Sequence, residues 1–418
     1  MNSDMTCRFC NSSLGKPFLD LGMHPSANSL LSKSRLEKIR AGESPEPVSP
    51  LRVLVCDKCW LVQLADFSRP EDLFTDDYVY YSSFSPSWVA HAKRYVEMIS
   101  DRLELNAGSQ VVEVASNDGY LLQHFVAKKI PCYGIDPAAK AANEAQKKGI
   151  ETVIDFFGRD VANQLATTRG KADLILGNNV FAHVPTINDF VSGLKQLLSA
   201  SGVITLEFPH VAQLVKNNQF DTIYDEHFFY YSLLSVQKIM SSHGLTVFDV
   251  EEIPTHGGSL RIYAKHSENE SHPISINVSN IVDHEIEVGL NKTETYKNIQ
   301  KRSEDIRSEF RALIEREGVS GNKIAAFGAA AKGNTFLNFC DIGHEHISLV
   351  ADDTLAKQGR FLPGSHIPIV PEDELCRSKP DVVLILPWNF KDDIISKLDY
   401  IRDWGGRFVT CIPKVQVW

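Results

Sequence analysis

The chain has 418 residues, 43% of them hydrophobic and 23% charged, a globular composition at a length that predicts two or three domains. Its net charge of −10 argues against a nucleic-acid surface as the main partner, because phosphate backbones need clustered Lys and Arg. No apolar run reaches the length of a membrane span, and the first twenty residues are polar with two cysteines, unlike a signal peptide. The expectation is a cytoplasmic protein engaging neither membrane nor nucleic acid.

Residues 1–68 read as a compact module opened by CRFC at 7–10 and closed by CDKC at 56–59, with the three-proline connector AGESPEPVSP at 41–50 between them. LRVLVC at 51–56 reads as a strand leading into the second knuckle. Disulfides are rare in the expected compartment, and two CxxC pairs 45 residues apart place four thiolates tetrahedrally round one Zn²⁺. Cys7, Cys10, Cys56 and Cys59 are therefore the predicted ligands. With every position filled, the metal is structural. His24 reads as a surface or packing residue, and Cys132, Cys340, Cys376 and Cys411 lack ligand spacing.

Residues 69–270 alternate strand and helix. A helix is predicted over 85–105, then strands at 111–115, 131–136, 172–179 and 202–208, the rhythm of a parallel, doubly wound sheet. LTVFDVEEIPTHGGSLRIYAKH at 245–266 breaks it with two strands joined at a Gly-Gly turn, an antiparallel hairpin at one sheet edge. EVASNDGYLL at 113–122 ends a strand and opens a helix, so Glu113, Ser116, Asn117, Asp118 and Gly119 face the position where ligands collect. Asp136 ends the next strand 17 residues after Gly119, a spacing that suits two ribose hydroxyls. The loop lacks the three-glycine pattern of a pyrophosphate site, which points to a cofactor with ribose and no diphosphate, S-adenosylmethionine (SAM). Asp155 and Phe156 after the third strand suit its adenine, and Asn178 and Asn179 after the fourth suit its methionine end.

Residues 271–418 begin with a charged, helix-prone stretch to Gly318, and a second strand–helix rhythm follows with strands at 323–328, 346–353, 381–388 and 407–412. KIAAFGAAAKGNTFLN at 323–338 brings Lys332 to a helix start, where its charge suits a diphosphate. Asp352 or Asp353, at the next strand end, suits a base or ribose, Trp388 and Asn389 lie at a third strand end where ligands collect, and Arg261 in the hairpin is a second phosphate candidate. A dehydrogenase-like reading would put a nicotinamide here, but GAAAKG is not GxGxxG.

The two CxxC pairs, then YVYYSSFSPSW, EVASNDGYLL, YDEHFFYYS and THGGSLR, together resemble the three-domain sugar carbon-methyltransferases, over nearly the whole chain. The resemblance implies an α/β architecture of three parts. A small zinc-binding module comes first. A class I methyltransferase Rossmann-like sheet with its C-terminal antiparallel hairpin follows, and a C-terminal Rossmann-like domain helps to bind the nucleotide. It also implies SAM as methyl donor and a thymidine diphosphate (TDP)-linked keto-deoxysugar as partner, and a monomer or weak homo-oligomer is expected. The family's tyrosine, glutamate and histidine at the reacting carbon fall on Tyr224, Glu226 and His227. A further tyrosine falls among Tyr78, Tyr80 and Tyr81, with Tyr78 preferred as catalytic and Tyr80 next, as a substrate contact.

The chemistry is coherent by itself. Methylating carbon beside a ketone requires an enolate, hence a base near neutral pH and a donor for the oxyanion, roles that His and Tyr fill. An oxygen- or nitrogen-methyltransferase on a similar substrate would need no enolate. A nicotinamide-dependent sugar oxidoreductase and a zinc-organised interaction module are the other readings. The interaction module leaves the polar strand ends unexplained.

Overall fold

The structure, a computed structural model, describes residues 5–65 and 81–418. Tyr78 and Tyr80 lie outside the described residues. The first module is built on β1 (Leu19–His24), β2 (Ser49–Val55) and β3 (Val62–Leu64), paired antiparallel in that order. Its two cysteine turns are built alike. In each, the first Cys carbonyl accepts from the residue four further on, Asn11 or Trp60, at 2.9 Å. Both of those residues have positive φ, 58° and 65°. The left-handed residue turns each knuckle back on itself and converges the four sulfurs, whose Sγ atoms lie within 4.8 Å of one another.

A tetrahedral Zn²⁺ with bonds of about 2.3 Å sets its thiolates roughly 3.8 Å apart. The Cys7–Cys59 and Cys10–Cys56 pairs stand at 3.5 and 3.6 Å, so the donor set fits the ion. Gln63 Nε2 donates to Cys7 Sγ at 3.2 Å, and the Lys58 amide to Cys56 Sγ at 3.5 Å. Such outer contacts orient metal-bound thiolates. His24 is buried and bonded to the Leu21 carbonyl, a packing residue.

The middle sheet contains β4 (Val111–Val114), β5 (Cys132–Ile135), β6 (Thr152–Val153), β7 (Ala172–Asn178) and β8 (Leu198–Pro209), mutually parallel. β9 (Phe229–Tyr230) leaves this unit altogether and pairs with β3 as the fourth strand of the first sheet. β10 (Leu245–Ile253) and β11 (Ser259–His266) form the expected hairpin, with β11 against β8, giving the order β10-β11-β8-β7-β4-β5-β6. Strand order reverses at β4, so the crevice beyond the C-terminal ends of β4 and β7 is the ligand position of an open α/β sheet. The helix predicted at 85–105 spans Pro86–Arg102, with Pro in its first turn and Ser85 accepting from the Trp88 amide at 3.3 Å.

The third sheet joins β12 (Ile324–Phe327), β13 (Val350–Ala351), β14 (Ile369–Val370), β15 (Val382–Ile385), β16 (Arg407–Thr410) and β17 (Gln416–Val417) in the order β14-β13-β12-β15-β16-β17, with only β16–β17 antiparallel. It too reverses at its first strand, and its loop after β12 faces the middle sheet across a shared cavity. Among the described residues no helix is long and apolar enough to cross a membrane.

A closed thiolate site contributes on the order of 10 kcal/mol to its local fold. Cys56→Ser is expected to lower zinc content, read by elemental analysis, together with the melting temperature. Full metal retention in that variant would remove Cys56 from the ligand set.

Candidate functional site

One cavity of about 820 Å³ runs from the crevice of the middle sheet to the β12 loop. At its first end stand Asn117, Asp136, Asp155, Phe156, Asn178 and Asn179. Tyr224, Glu226 and His227 line its centre with His183 and His256, and Ala329 to Lys332, Lys357 and Asn389 close the far end. Asn28 and Leu30 of the first module reach its wall.

The strand-end acids work alike in both doubly wound sheets. Asp136 accepts from the Asn117 and Ala138 amides, both at 2.8 Å, and so fixes the loop after β4. Asp352 accepts from the Ala329 amide at 2.7 Å and the Thr354 amide at 2.8 Å, fixing the loop after β12. Burial raises Asp136 above the usual carboxylate range despite these donors. Each carboxylate retains lone pairs, but only Asp136 borders the cavity. The Nδ2 of Asn178 and the Oδ1 of Asn179 are buried at the cavity wall without hydrogen-bond partners among the described residues.

The other sequence-expected residues lie elsewhere. Glu113 is 1% exposed in β4, below the cavity floor, and burial together with Asp136 holds its carboxyl well above the ordinary range. Ser116 is wholly buried beside Gly134. Asp118 bonds Lys148 at 3.0 Å and the Ser83 amide, and Gly119, at φ 75°, packs towards Ile150. Arg261 requires correction as a phosphate contact. Its guanidinium bonds Glu207 and Glu251, each at 3.0 Å, over the Tyr95 ring, so its charge is already matched. Asp353 pairs with Lys397 on the outer surface, and Trp388 donates from Nε1 to Asp221 at 2.7 Å instead of lining the cavity. Tyr81 borders a separate open pocket beside Lys140.

At the centre, His227 Nδ1–H donates to the Thr222 carbonyl at 3.0 Å, which fixes the tautomer. Its Nε2 then accepts from the Tyr224 hydroxyl at 2.6 Å. Burial, followed by the nearby His183, holds His227 well below its ordinary 6.5. His183 meets its ring edge-on at 4.8 Å and is itself lowered by burial to about 4. His256, in a left-handed turn at φ 54°, accepts from Asn179 Nδ2 at 2.7 Å. Burial, then the Lys332 charge, lowers it to about 4. Glu226 moves the other way, raised to about 8 by burial and the neighbouring Asp225. At neutral pH the centre holds uncharged imidazoles and a protonated carboxyl.

Sequence reasoning missed His183, His256, Asn28 and Lys357. His183 follows β7 by five residues and was within reach of the strand-end rule that found Asn178 and Asn179. His256 was visible inside THGG but taken only as a turn. Nothing in the local sequence marks Asn28.

Known proteins resemble the chain over nearly its whole length. A C-methyltransferase C-terminal domain model matches residues 254–413, a methyltransferase domain model 88–250, and a zinc binding domain model 7–74. The C-methyltransferase NovU of Streptomyces niveus is 35% identical over 411 residues, covering 98% of this chain and 96% of that protein. The chain belongs to the SAM-dependent C-methyltransferase family. The order of its middle sheet is that of a class I methyltransferase fold, with the four-cysteine zinc cluster in front of it. Among solved structures, the magnesium protoporphyrin IX methyltransferase of Synechocystis is 19% identical with a TM-score of 0.33, over 43% of this chain and 81% of that one. The 1,6-didemethyltoxoflavin-N1-methyltransferase of Burkholderia thailandensis is 15% identical with a TM-score of 0.37, over 50% and 96%.

The buried imidazoles predict how this C-methyltransferase responds to acid. The unfolded chain takes up protons as pH falls through 6.5, while His183 and His256 resist until about 4. Their contribution to stability is full above 6.5 and is lost between those values, at up to about 1.4 kcal/mol per pH unit and group. Asp221, raised to about 6 mainly by burial, and Glu226 oppose the trend. A His256→Gln variant removes one of these imidazoles. Its melting temperature is expected to fall less steeply than that of the wild type from pH 6.5 to 5, and parallel curves would refute the assignment.

Proposed function

We propose that the protein methylates the carbon beside the ketone, carbon 3, of a TDP-linked 4-keto-6-deoxysugar in branched deoxysugar biosynthesis. The observation that carries this reading is the Tyr224–His227 hydrogen bond of 2.6 Å in a cavity that also reaches the polar ends of two doubly wound sheets. Oxygen and nitrogen nucleophiles carry lone pairs of their own. A neutral imidazole with a fixed tautomer, beside a phenol and a protonated carboxyl, is the equipment that carbon requires.

In this reading the proton of the acidic carbon ends on His227 Nε2. It arrives directly, or through Tyr224, whose oxygen takes the carbon proton as its own passes to the imidazole. The C–H electron pair enters the new C=C bond, and the ketone oxygen becomes an enolate. Glu226, protonated at neutral pH, has an O–H to offer a sugar oxygen. The Thr222 carbonyl stabilises the resulting imidazolium through Nδ1–H. Bound SAM supplies an electrophilic methyl group to the nucleophilic carbon. Asp136 would hold its ribose, Asp155 and Phe156 its adenine, and Asn178 and Asn179 its methionine end.

For the nucleotide, Lys332 and Lys357 flank the β12 loop. Lys332 donates to Asn389 at 2.7 Å and lies 4.7 Å from the centre of the Trp388 ring, while Lys357 donates to the Ala329 carbonyl at 2.9 Å. Two ammonium groups beside the N-terminus of the helix Ala331–Phe339 suit a diphosphate.

His227→Ala is expected to leave SAM and sugar-nucleotide binding nearly intact while methyl transfer falls by ~10²–10⁴, the usual worth of a positioned base. The assay is mass spectrometry of thymidine diphospho-4-keto-6-deoxyglucose incubated with SAM. In deuterated water the wild type should exchange label into the acidic carbon and the variant should not. Methyl transfer at the wild-type rate would exclude His227 as the base. Asp136→Ala should weaken SAM binding by about 1.5–3 kcal/mol, the worth of hydrogen bonds to a charged group. Unchanged affinity by calorimetry would move the ribose elsewhere.

A further inference from the structure

The stretch from His24 to Leu31 belongs in sequence to the first module but also bonds the segment carrying Asp225 and a loop of the third unit. His24 ends β1, and its Nε2 lies 2.8 Å from the carbonyl of Leu21 in the same strand. The Ala27 amide donates to Asp225 Oδ1 at 3.1 Å, and Leu31 exchanges two backbone hydrogen bonds of 2.9 Å with Phe361 of the third unit. Asn28 stands between the last two anchors, its side chain open to the cavity, and its Nδ2 donates to Glu226 Oε1 at 2.7 Å. Glu226 is 3% exposed. A buried Glu has three rotatable side-chain bonds, and a single donor on one oxygen determines where the other points.

We propose that Asn28 is a positioning residue for methyl transfer, holding one oxygen of the Glu226 carboxyl so that the other faces the sugar. The proposal rests on the reading that Glu226 addresses the sugar. It gives the zinc module a part in the reaction, because the stretch carrying Asn28 leaves β1 at His24 and is held to the catalytic segment through Asp225. The ionisation of Glu226 supports the geometry. Burial and Asp225 raise it to about 8, while the Asn28 N–H favours the charged form. The other groups facing it are His227 on its own segment, His183, whose ring bonds the Glu226 backbone, and Lys332 across the cavity.

Asn28→Ala tests this. It is expected to lower kcat/KM for methyl transfer about twofold to tenfold, the worth of one hydrogen bond to an uncharged group. Zinc content and SAM affinity should stay unchanged. The alkaline ionisation of the pH–rate profile should move to higher pH, which a merely structural role would not cause. In a Glu226→Ala background the same substitution should cost nothing further. An equal loss in both backgrounds would overturn the proposal, since Asn28 would then act independently of Glu226. An inert Asn28→Ala beside a crippled Glu226→Ala would sink the Asn28 proposal alone. An inert Glu226→Ala would remove the reading of Glu226 itself, and the proposal with it.

Discussion

The arrangement depends on one short stretch, Asp221 to Tyr231, that bonds all three units. Asp221 takes the Trp388 indole N–H from the third unit, and Asp225 takes the Ala27 amide from the first. The Phe228 amide donates to the Ala182 carbonyl just beyond β7, and Phe229–Tyr230 pairs with β3. Tyr231 stacks on Phe181 at 4.3 Å and bonds its carbonyl. A segment bonded on every side has one conformation, which preorganises Tyr224, Glu226 and His227 before any ligand arrives. The zinc cluster belongs to the same constraint, because it holds the sheet whose edge β9 completes.

The surroundings then set the protonation states. Burial is the first cause of the lowered His227 and of the raised Glu226, and it also pulls Lys332 down against the opposing Asp221 charge. Shielding from water disfavours charge on both groups, so the imidazole stays neutral to lower pH and the carboxyl stays protonated to higher pH than either would in solution. Charge that must stay in the fold is paired away from the chemistry. Burial alone would raise Glu207, but His91 and Arg261 outweigh it and hold the carboxyl below the ordinary range. Thr255 Oγ1 donates to the same carboxylate at 3.0 Å, fixing the turn that aims His256 into the cavity. The Arg261 network thus supports the site from behind.

The two Rossmann-like units share a device beyond their strand order. In each, an acid at the second strand end clamps the loop after the first strand, Asp136 on Asn117 and Asp352 on Ala329. In the third unit a lysine joins the clamp, Lys357 lying 3.4 Å from Asp352. The added charge fits the proposed division of labour, with a ligand carrying no phosphate in one crevice and a diphosphate at the other.

The sequence by itself determined the longer parallel strands of both doubly wound sheets, the hairpin and the four sulfur ligands, because these rest on local rules: apolar runs between glycine turns, and cysteine spacing. The strands β1, β3, β9, β14 and β17 were not legible in it. It also marked Asn117, Asp136, Asn178 and Asn179, since strand ends follow from the same periodicity. It did not show that YDEHFFYY divides in two. Tyr224, Glu226 and His227 line the cavity, whereas Phe228 to Tyr231 are buried in the core and tie the first sheet to the second. The run thus divides between cavity-lining residues and packing residues. Tertiary structure alone decided that Arg261 is matched by Glu207 and Glu251, that Asp352 and Trp388 hold loops and segments together, and that Asn28 meets Glu226 across 198 positions of chain. Such contacts join elements far apart in sequence. No periodicity encodes them, and they exist only once three separately legible units close on one cavity.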